Sequence, residues 1–258
     1  MNNLFLPIVS LWYREVIRFL RQPSRVIGAL VPPILFWFFI GSGLGKSPFQ
    51  TFSPEENYMQ YLFPGTILMI VLFTSIFSTI SIIEDRKDGF LQSVIIAPIP
   101  RSSIVLGKIL GGTTLAFFEA LAFLLLAPLL KIHFSWNSLF IALLLLFLIS
   151  MGLTGMGFIL AWQMDSTQGF HSVMNLFLMP LWFLSGALFP LESASPWLRL
   201  LMILDPLTYG VAGLRTAFYS QSLHSGGNFP SLTLCLFSSF IFCLFTFTLS
   251  LLVCKRKT

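Results

Sequence analysis

An isolated acidic residue inside a long apolar segment is the first candidate for chemistry in this sequence. Glu119 is the single charged residue in the stretch 109–130 and lies near its middle. Acids at such depth in a membrane helix are costly, and many of them bind protons, ions or substrates. A hydrogen bond to a neighbouring helix is the alternative use of such a group. Because neither Lys nor Arg lies at a similar depth, we expect Glu119 to be protonated or hydrogen-bonded.

The longest charged segment, 84–108, is the second candidate and has the pattern of a short helix between two breaks. Gly89 interrupts the incoming helix, and Pro98 with Pro100 ends the next one. Between these breaks, apolar residues recur at helical spacing, namely Phe90, Leu91, Val94 and Ile95. A short amphipathic helix that projects from a membrane can be gripped by another protein. The alternative is a positively charged loop that only fixes the topology.

Motifs for nucleotide binding and for hydrolysis are missing from the sequence. It contains no G-x-x-x-x-G-K-[ST], no H-E-x-x-H and no G-x-S-x-G. The histidines lie in three different connections, at His133, His171 and His224. The cysteines have no metal-binding spacing and all lie in the last apolar segment, at Cys235, Cys243 and Cys254. We therefore expect no catalytic residue, no cofactor site and no metal site in this chain.

The composition indicates which elements must position these residues. Only 10% of the 258 residues are charged, against about 25% in soluble proteins, and 56% are hydrophobic. These values exclude a soluble globular protein, and the hydrophobicity excludes a disordered one. Six stretches approach the length of about 20 apolar residues that a bilayer requires, namely 26–45, 62–83, 109–130, 138–162, 172–191 and 231–254. They are too continuously apolar for outer-membrane strands, so we predict an all-α integral membrane protein with one domain, 1–258.

The distribution of basic residues predicts the orientation of this protein. Six spans place both termini on one side, and most of the 15 Lys and Arg residues then lie on that side. The other side receives Lys46, Lys131, Arg199 and Arg215. The positive-inside rule therefore predicts that both termini are cytoplasmic and that the protein lies in the cytoplasmic membrane. The net charge of +5 follows from this asymmetry, and we expect no nucleic-acid partner.

The N-terminal segment 4–20 has the pattern of a helix that lies in the membrane interface. Its apolar residues recur at helical spacing, at Leu4, Ile8, Leu11, Trp12, Val16, Phe19 and Leu20. Its other face carries Ser10, Arg14, Arg18 and Arg21. We expect Trp12 and Tyr13 at headgroup level and the arginines against anionic membrane lipid. The segment is either a surface anchor or a docking element for a cytoplasmic partner, and its charges argue against a cleavable signal peptide.

The segment 196–221 is apolar but divided into two parts that are too short to span a bilayer. Asp205 and Pro206 separate the parts, as an N-cap followed by a first-turn proline. Tyr209 and Arg215 belong to the second part. We predict a re-entrant or interfacial hairpin on the outer side, between the last two spans. Such a hairpin is tolerated at membrane depth where protein or a cavity shields it.

Two groups of motifs resemble those of permease subunits of type-2 ABC exporters, a family that exports drugs, polysaccharides and lipids. The first group consists of Asp85-Arg86-Lys87-Asp88-Gly89-Phe90-Leu91, Ala97-Pro98-Ile99-Pro100-Arg101 and Leu106-Gly107-Lys108. The second consists of the run from Pro180 to Glu192, Trp197-Leu198-Arg199, Asp205-Pro206-Leu207-Thr208-Tyr209-Gly210 and Leu214-Arg215. Both groups occur in the family's order, and the resemblance covers nearly the whole chain.

The resemblance implies a partner for the loop 84–101. This loop would be the coupling helix that inserts into a separate ATP-binding cassette subunit, and that subunit would hold ATP and magnesium. The coupling residues would be Glu84, Asp85, Arg86, Gly89, Phe90, Leu91, Pro98, Arg101 and Lys108. The helix 4–20 would contact the same subunit, and 196–221 would be the outer re-entrant pair.

The resemblance also implies a transport pathway between two copies of the chain, or between this chain and a paralogous permease. The substrate would be amphipathic, and spans 1, 2 and 5 would line its path. Candidate lining residues are Phe36, Trp37, Glu119, Trp182 and Phe183. The implied function is export driven by ATP hydrolysis in another protein.

Two other functions remain open from the residues alone. An ion- or proton-coupled secondary transporter would use Glu119 as its coupling acid, although the two halves show no matching inverted repeat. A membrane-embedded lipid-modifying enzyme would need a polar cluster at one interface, and the sequence shows none. Glu119 is therefore the residue on which the first alternative depends.

Overall fold

In the computed structural model, every regular element of the described residues, 5–44, 58–132, 134–219 and 230–256, is helical. The α-helices are α1 (Phe5–Leu20), α2 (Pro23–Leu44), α3 (Tyr58–Ser78), α4 (Ile80–Lys87), α5 (Phe90–Ile96), α6 (Arg101–Leu124), α7 (Trp136–Gln163), α8 (Thr167–Leu184), α9 (Pro196–Leu204), α10 (Pro206–Tyr219) and α11 (Leu232–Arg256). Single 3₁₀ turns, Ala127–Leu130 and Leu191–Ser193, follow α6 and α8.

Within the described residues, five elements are long and apolar enough to cross a membrane: α2, the pair α3–α4, α6, α7 and α11. A sixth is obtained if α9 and α10, which meet at an angle of 86°, are taken as one span. α8 has 18 residues. At about 1.5 Å per residue it extends about 27 Å, slightly less than the ~30 Å of a hydrocarbon core. The predicted all-α membrane class is thus confirmed.

Polar contacts at the two ends of the bundle show how far α8 runs. At one end, hereafter the charged end, Arg86 pairs with Asp165 in the turn between α7 and α8 at 2.7 Å. At the opposite end, Tyr58 at the start of α3 donates to the carbonyl of Leu188, beyond α8, at 2.9 Å. α8 therefore connects the two ends of the bundle although it is short.

The bent pair α9–α10 starts and ends at the opposite end. Tyr219, the last residue of α10, donates to the carbonyl of Gln60 near the start of α3 at 2.7 Å. Gly210, in the first half of α10, packs against Leu68 and Ile149, which lie deeper in α3 and near the middle of α7. The pair therefore enters the bundle and returns, as the sequence predicts for a re-entrant hairpin. The last two residues of the predicted hairpin segment lie outside the described residues.

The predicted spans and the helices differ at some of their ends. α6 begins at Arg101, earlier than the predicted third span, because Pro100 has an extended conformation that caps the helix. The predicted fifth span, 172–191, is wrong at its C-terminal end. α8 stops at Leu184, and Gly186 then adopts a left-handed conformation with a φ of 77° that ends the helical path.

α3 forms the centre of the bundle. Nearly every residue from Tyr58 to Ile76 is buried, because α3 contacts α2, α6, α7, α8 and α10. α2 differs, since it buries only Pro33, Trp37 and Gly41. Most of the apolar surface of α2 is therefore available to lipid or to another chain.

α1 packs along α6 at two glycines. A Cβ added at Gly107 would lie 2.7 Å from the Cβ of Leu11, and one added at Gly111 would lie 2.6 Å from the Cβ of Glu15. Only glycine permits this approach, since real Cβ atoms do not come so close. Leu4, the predicted start of this helix, lies outside the described residues. The close packing places the polar residues of α1 beside those of α4 and α6.

Candidate functional site

Asp85 is the centre of a buried ionic network at the charged end. Its side chain is fully buried and accepts hydrogen bonds from Arg14 at 2.7 and 2.8 Å and from Arg18 at 2.7 Å. Lys108 on α6 donates to the same carboxylate and to Glu15 on α1, the latter at 2.6 Å. The network therefore joins α1, α4 and α6.

Glu84 extends this network to α2. Its carboxylate accepts from Arg18 at 2.7 Å and from Arg25 at 2.5 Å. The ion-pair cluster, as we name it, has four cations and three anions: Arg14, Arg18, Arg25, Lys108, Glu15, Glu84 and Asp85. The hydrogen bond to Asp85 raises the pKa of Arg14. Buried charges are strongly destabilising unless they are paired in this way.

Two arginines of α1 bind acids of the same chain, whereas the sequence predicts that they face membrane lipid. Arg14 and Arg18 turn towards the acids of α4, because these carboxylates supply ionic partners inside the bundle, and Arg21 stays exposed. Trp12 is half-buried and donates to the hydroxyl of Thr114 on α6 at 2.9 Å. The predicted amphipathic helix is present, but its basic face is partly an internal surface.

Two further arginines of the charged loop bind the C-terminal ends of spans. Arg86 donates to the carbonyls of Trp162 at 2.6 Å and Met164 at 3.1 Å, at the end of α7. Arg101 donates to the carbonyls of Cys254 at 3.3 Å and Lys255 at 3.0 Å, near the end of α11. Carbonyls at a helix C-terminus lack intrahelical donors, so a guanidinium is a favourable partner.

α5 is the predicted short helix, and only one of its faces is attached to the bundle. Gly89 precedes it with a φ of 75°. Leu91 is buried, and the guanidinium of Arg14 lies 3.7 Å from the centre of the Phe90 ring. Ile96, at the other end of α5, is 84% exposed. The helix thus projects an apolar side chain beside the exposed polar residues Gln92 and Ser93.

The predicted coupling residues therefore fall into two groups. Asp85 and Lys108 are enclosed in the ion-pair cluster, and Arg86 and Arg101 bind the carbonyls of helix ends. These four charged side chains therefore have their partners within the chain. Pro98 and the outer face of α5 are exposed. The sequence does not separate these groups, because the two kinds of residue alternate along the loop.

A cavity of about 390 Å³ lies between α2, α3 and α8, next to the ion-pair cluster. Its wall includes Arg25, Gly28, Phe73, Thr74, Phe77 and His171. The His171 and Phe77 rings are 4.9 Å apart. A Cβ added at Gly28 would meet no atom within 4 Å, so α2 leaves this side open. The sequence analysis missed this site, although Phe73 and Phe77 are four residues apart and share a helix face.

Most of the aromatic residues predicted to line a pathway pack against other residues of this chain. Trp37 is buried and donates to the carbonyl of Met59 at 2.9 Å. Trp182 is fully buried and donates to the carbonyl of Gly65 at 2.7 Å. Phe36 lies edge-on to Trp182, at 5.2 Å between the ring centres. The indole N–H groups need acceptors in an apolar interior, which explains why these residues turn inwards; only Phe183 is exposed.

Glu119 forms a hydrogen bond between two helices. It is buried, and the hydroxyl of Thr74 on α3 donates to one of its carboxyl oxygens. The other oxygen has no hydrogen-bond partner among the described residues. Thr74 also belongs to the wall of the cavity, so Glu119 lies directly behind that wall.

Polar residues hold the hairpin α9–α10 in place. Asp205 accepts from the backbone N–H of Leu207 at 3.0 Å and caps α10, which begins at Pro206 as the sequence predicts. Tyr209 donates to the carbonyl of Ile203 at 3.0 Å, which ties α10 to α9.

The buried Arg215 attaches the hairpin to the segment that follows α8. It donates to the carbonyls of Gly186 at 2.9 Å and Ala187 at 3.2 Å. Its guanidinium lies 4.0 Å from the centre of the Tyr61 ring on α3. The contacts of Arg215 therefore join α10, α3 and the end of α8.

A helical bundle with these spans, a short projecting helix at one end and a re-entrant pair at the other defines a multi-pass membrane protein of the transport permease class. Residues 7–219 match the model of the ABC-2 type transporter family. The chain belongs to that family, and it is the membrane subunit of an ABC transporter. The resemblance found in its loop and hairpin motifs is thereby confirmed.

Similar proteins carry permease names. The chain is 30% identical to the transport permease ycf38 of Cyanophora paradoxa over 81% of its own length and 72% of the relative. It is 28% identical to the inner membrane transport permease YadH of Escherichia coli (strain K12), over 84% and 85%. It is 23% identical to nodulation protein J of Neorhizobium galegae, over 96% and 93%. These relatives are named as permeases or by a biological process, and none of their names describes an enzyme.

Proposed function

We propose that this chain is the membrane-spanning subunit of an ATP-driven exporter whose ATP-binding subunit contacts α5 from the cytoplasm. The observation that carries the proposal is the contrast within the charged loop. Apart from the exposed Lys87 and Asp88, its charged side chains have partners inside the chain, whereas Ile96 projects outwards and is 84% exposed. An exposed apolar residue on a short, anchored helix suits insertion into a groove of another protein.

The anchoring of α5 explains how its displacement would reach the spans. Phe90 lies against Arg14, and Arg14 is bound to Asp85 in α4. Arg86 binds the end of α7, and Arg101 binds the end of α11. A push on α5 would therefore move α1, α4 and α6 together and tilt α7 and α11. ATP and magnesium would be held by the partner, and this chain would supply no catalytic residue.

The proposed topology places the charged end and both termini in the cytoplasm, and the hairpin α9–α10 on the outer side. The basic residues of α1, α2 and the loop 84–108 support this orientation. A second copy of the chain, or a paralogous permease, would face the exposed side of α2 and close the cavity between α2, α3 and α8. The substrate would be an amphipathic drug, lipid or glycan-linked molecule that moves outwards along that surface.

The experiment compares two energy sources in the same vesicles. The chain is reconstituted with the ATP-binding protein that co-purifies with it, and export of a fluorescent amphipath is measured with ATP or with an imposed proton gradient. The proposal predicts transport that requires ATP and persists in Glu119→Gln, because Gln keeps a polar partner for Thr74. Transport that does not require ATP, requires the proton gradient and is lost in Glu119→Gln would identify a secondary transporter.

A further inference from the structure

A groove, hereafter the α5 groove, lies at the charged end between α5 and the turn that joins α7 to α8. Its volume is about 320 Å³, at the lower end of the range of about 300–1,000 Å³ for small-molecule sites. Its wall is formed by residues of α4, α5, α7 and the turn: Arg86, Leu91, Gln92, Ile95, Trp162 and Asp165. The α5 groove therefore has room for one large side chain.

The wall of the α5 groove has an apolar inner part and a polar outer part. Leu91 and Trp162 are buried, and Ile95 is half-buried. Gln92 is exposed, and the side chain of Asp165 is 81% exposed. A side chain that entered the groove would bury its apolar part and keep its end near polar groups. Pockets of this kind hold the anchor residues of protein interfaces, among which Trp, Tyr and Arg are enriched.

The charges in the wall disfavour a charged occupant. Arg86 donates to one carboxylate oxygen of Asp165, Oδ1, at 2.7 Å and also binds the carbonyls at the end of α7. An acidic side chain in the groove would meet Asp165, and a basic one would meet Arg86, so each would face a like charge. The second oxygen of Asp165 accepts no hydrogen bond from any residue that the structure describes. A neutral side chain with a hydroxyl group therefore matches the wall best.

The α5 groove is continuous with the exposed surface of α5. Ile95 lines the groove, and the next residue, Ile96, projects outwards and is 84% exposed. A protein that binds Ile96 at the charged end would therefore also cover the groove. A second permease that faced the exposed side of α2 would approach the bundle from another direction.

We propose that the ATP-binding subunit inserts a neutral aromatic side chain into the α5 groove and thereby contacts the α7–α8 turn in addition to α5. The guanidinium of Arg86 lies 5.7 Å from the centre of the Trp162 ring. An aromatic ring packs favourably against both groups. Tyrosine would also donate its hydroxyl to Asp165. The proposal rests on the function proposed above, because it names the kind of residue by which the ATP-binding subunit binds.

This contact would connect the ATP-binding subunit directly to α7 and α8. Arg86 in α4 already binds the carbonyls of Trp162 and Met164 at the end of α7. Ser166, directly after Asp165, caps α8 by accepting from the backbone N–H of Gly169 at 3.2 Å. A side chain held between α5 and the turn would therefore move α7 and α8 together with α4.

The test measures the affinity of the full-length chain in nanodiscs for the ATP-binding protein that co-purifies with it. Gln92→Trp fills the groove, so the Kd should rise at least about tenfold, which corresponds to about 1.4 kcal/mol. Gln168→Trp is the matched control, because Gln168 is an exposed glutamine at the same end but outside the groove. Its Kd should stay within about twofold of the parent. Unfolding temperatures show whether both variants keep the fold.

Two charge variants test whether the occupant is neutral, and they do not depend on the folding of Gln92→Trp. Gln92→Glu and Gln92→Lys should each change the Kd by less than about threefold. Tighter binding by Gln92→Glu would identify a basic occupant, and tighter binding by Gln92→Lys would identify an acidic one. Either result would contradict the proposal.

Alanine substitutions in the ATP-binding protein identify the occupant. Replacing one exposed aromatic residue should weaken binding to the parent chain at least about tenfold and have no further effect on Gln92→Trp, because both changes remove the same contact. The proposal is overturned if no aromatic residue behaves in this way, or if the two tryptophan variants bind equally.

Comparison with Ile96→Ser separates this proposal from the proposed function. If Ile96→Ser weakens binding and Gln92→Trp does not, the contact in the α5 groove is wrong and docking at α5 stands. If neither variant weakens binding, docking of the ATP-binding subunit at α5 is wrong as well.

Discussion

Replacing Asp85 by Asn tests whether the ion-pair cluster holds α1, α4 and α6 together. The side chain is fully buried and accepts from Arg14, Arg18 and Lys108, so Asp85→Asn leaves three cations with too few anions. Breaking a buried ion pair on one side costs about 3–5 kcal/mol. For a chain of this size, at about 2–4 °C per kcal/mol, the unfolding temperature should fall by about 6–20 °C.

Asp165→Asn is the matched control, because Asp165 makes a single ion pair and its side chain is 81% exposed. Exposed pairs contribute about 0–1 kcal/mol, so this variant should unfold within a few degrees of the parent. Unfolding is followed by tryptophan fluorescence in detergent. Adding Lys108→Met to Asp85→Asn should restore part of the loss, since the cluster then has three cations for two anions and not four for two. Equal shifts for Asp85→Asn and Asp165→Asn would refute the reasoning.

Two more predictions follow from the contacts of α1 and α11. In Gly107→Val the new side chain would meet Leu11, whose Cβ lies 2.7 Å from the position of an added Cβ, so α1 should detach and become accessible to protease. Gly43→Val, in open space, should leave the digestion pattern unchanged. Arg101→Gln weakens the link to α11, and export should fall severalfold while ATP hydrolysis by the complex continues. Arg199→Gln, on the exposed surface of α9, should export normally; an equal loss there would contradict the assigned role of Arg101.

Local chain chemistry made the short elements predictable. α5 begins after Gly89 and ends before the prolines that follow it, as the sequence predicts. The left-handed conformation of a glycine and the missing N–H of a proline interrupt a helix at the residue itself, so these boundaries are visible in the sequence. Asp205 and Pro206 define the start of α10 for the same reason. Long apolar stretches likewise indicated the five elements that are long and apolar enough to cross a membrane, because length and charge exclusion are properties of single helices.

The partners of the charged residues could not be predicted. Arg14 and Asp85 are separated by many residues, and the sequence does not show that α1 folds back onto α4. The burial of the predicted pathway residues could not be predicted for a different reason. In a membrane protein both the interior and the lipid-facing surface are apolar, so hydropathy does not distinguish a buried Trp182 from an exposed Phe183. The cavity is open at Gly28 because glycine has no side chain, and a hydropathy pattern does not record a missing side chain.

The most direct test of the account is the affinity of the ATP-binding subunit for α5. Ile96→Ser removes the exposed apolar side chain, and burying an isoleucine contributes about 1.5–3 kcal/mol, so the Kd should rise about 10–100-fold. Leu129→Ser alters a residue of similar exposure, 78%, at the opposite end and should leave the Kd unchanged. Both are measured with the purified subunit and the chain in nanodiscs. Equal affinities for the parent and Ile96→Ser would contradict the proposed docking at α5.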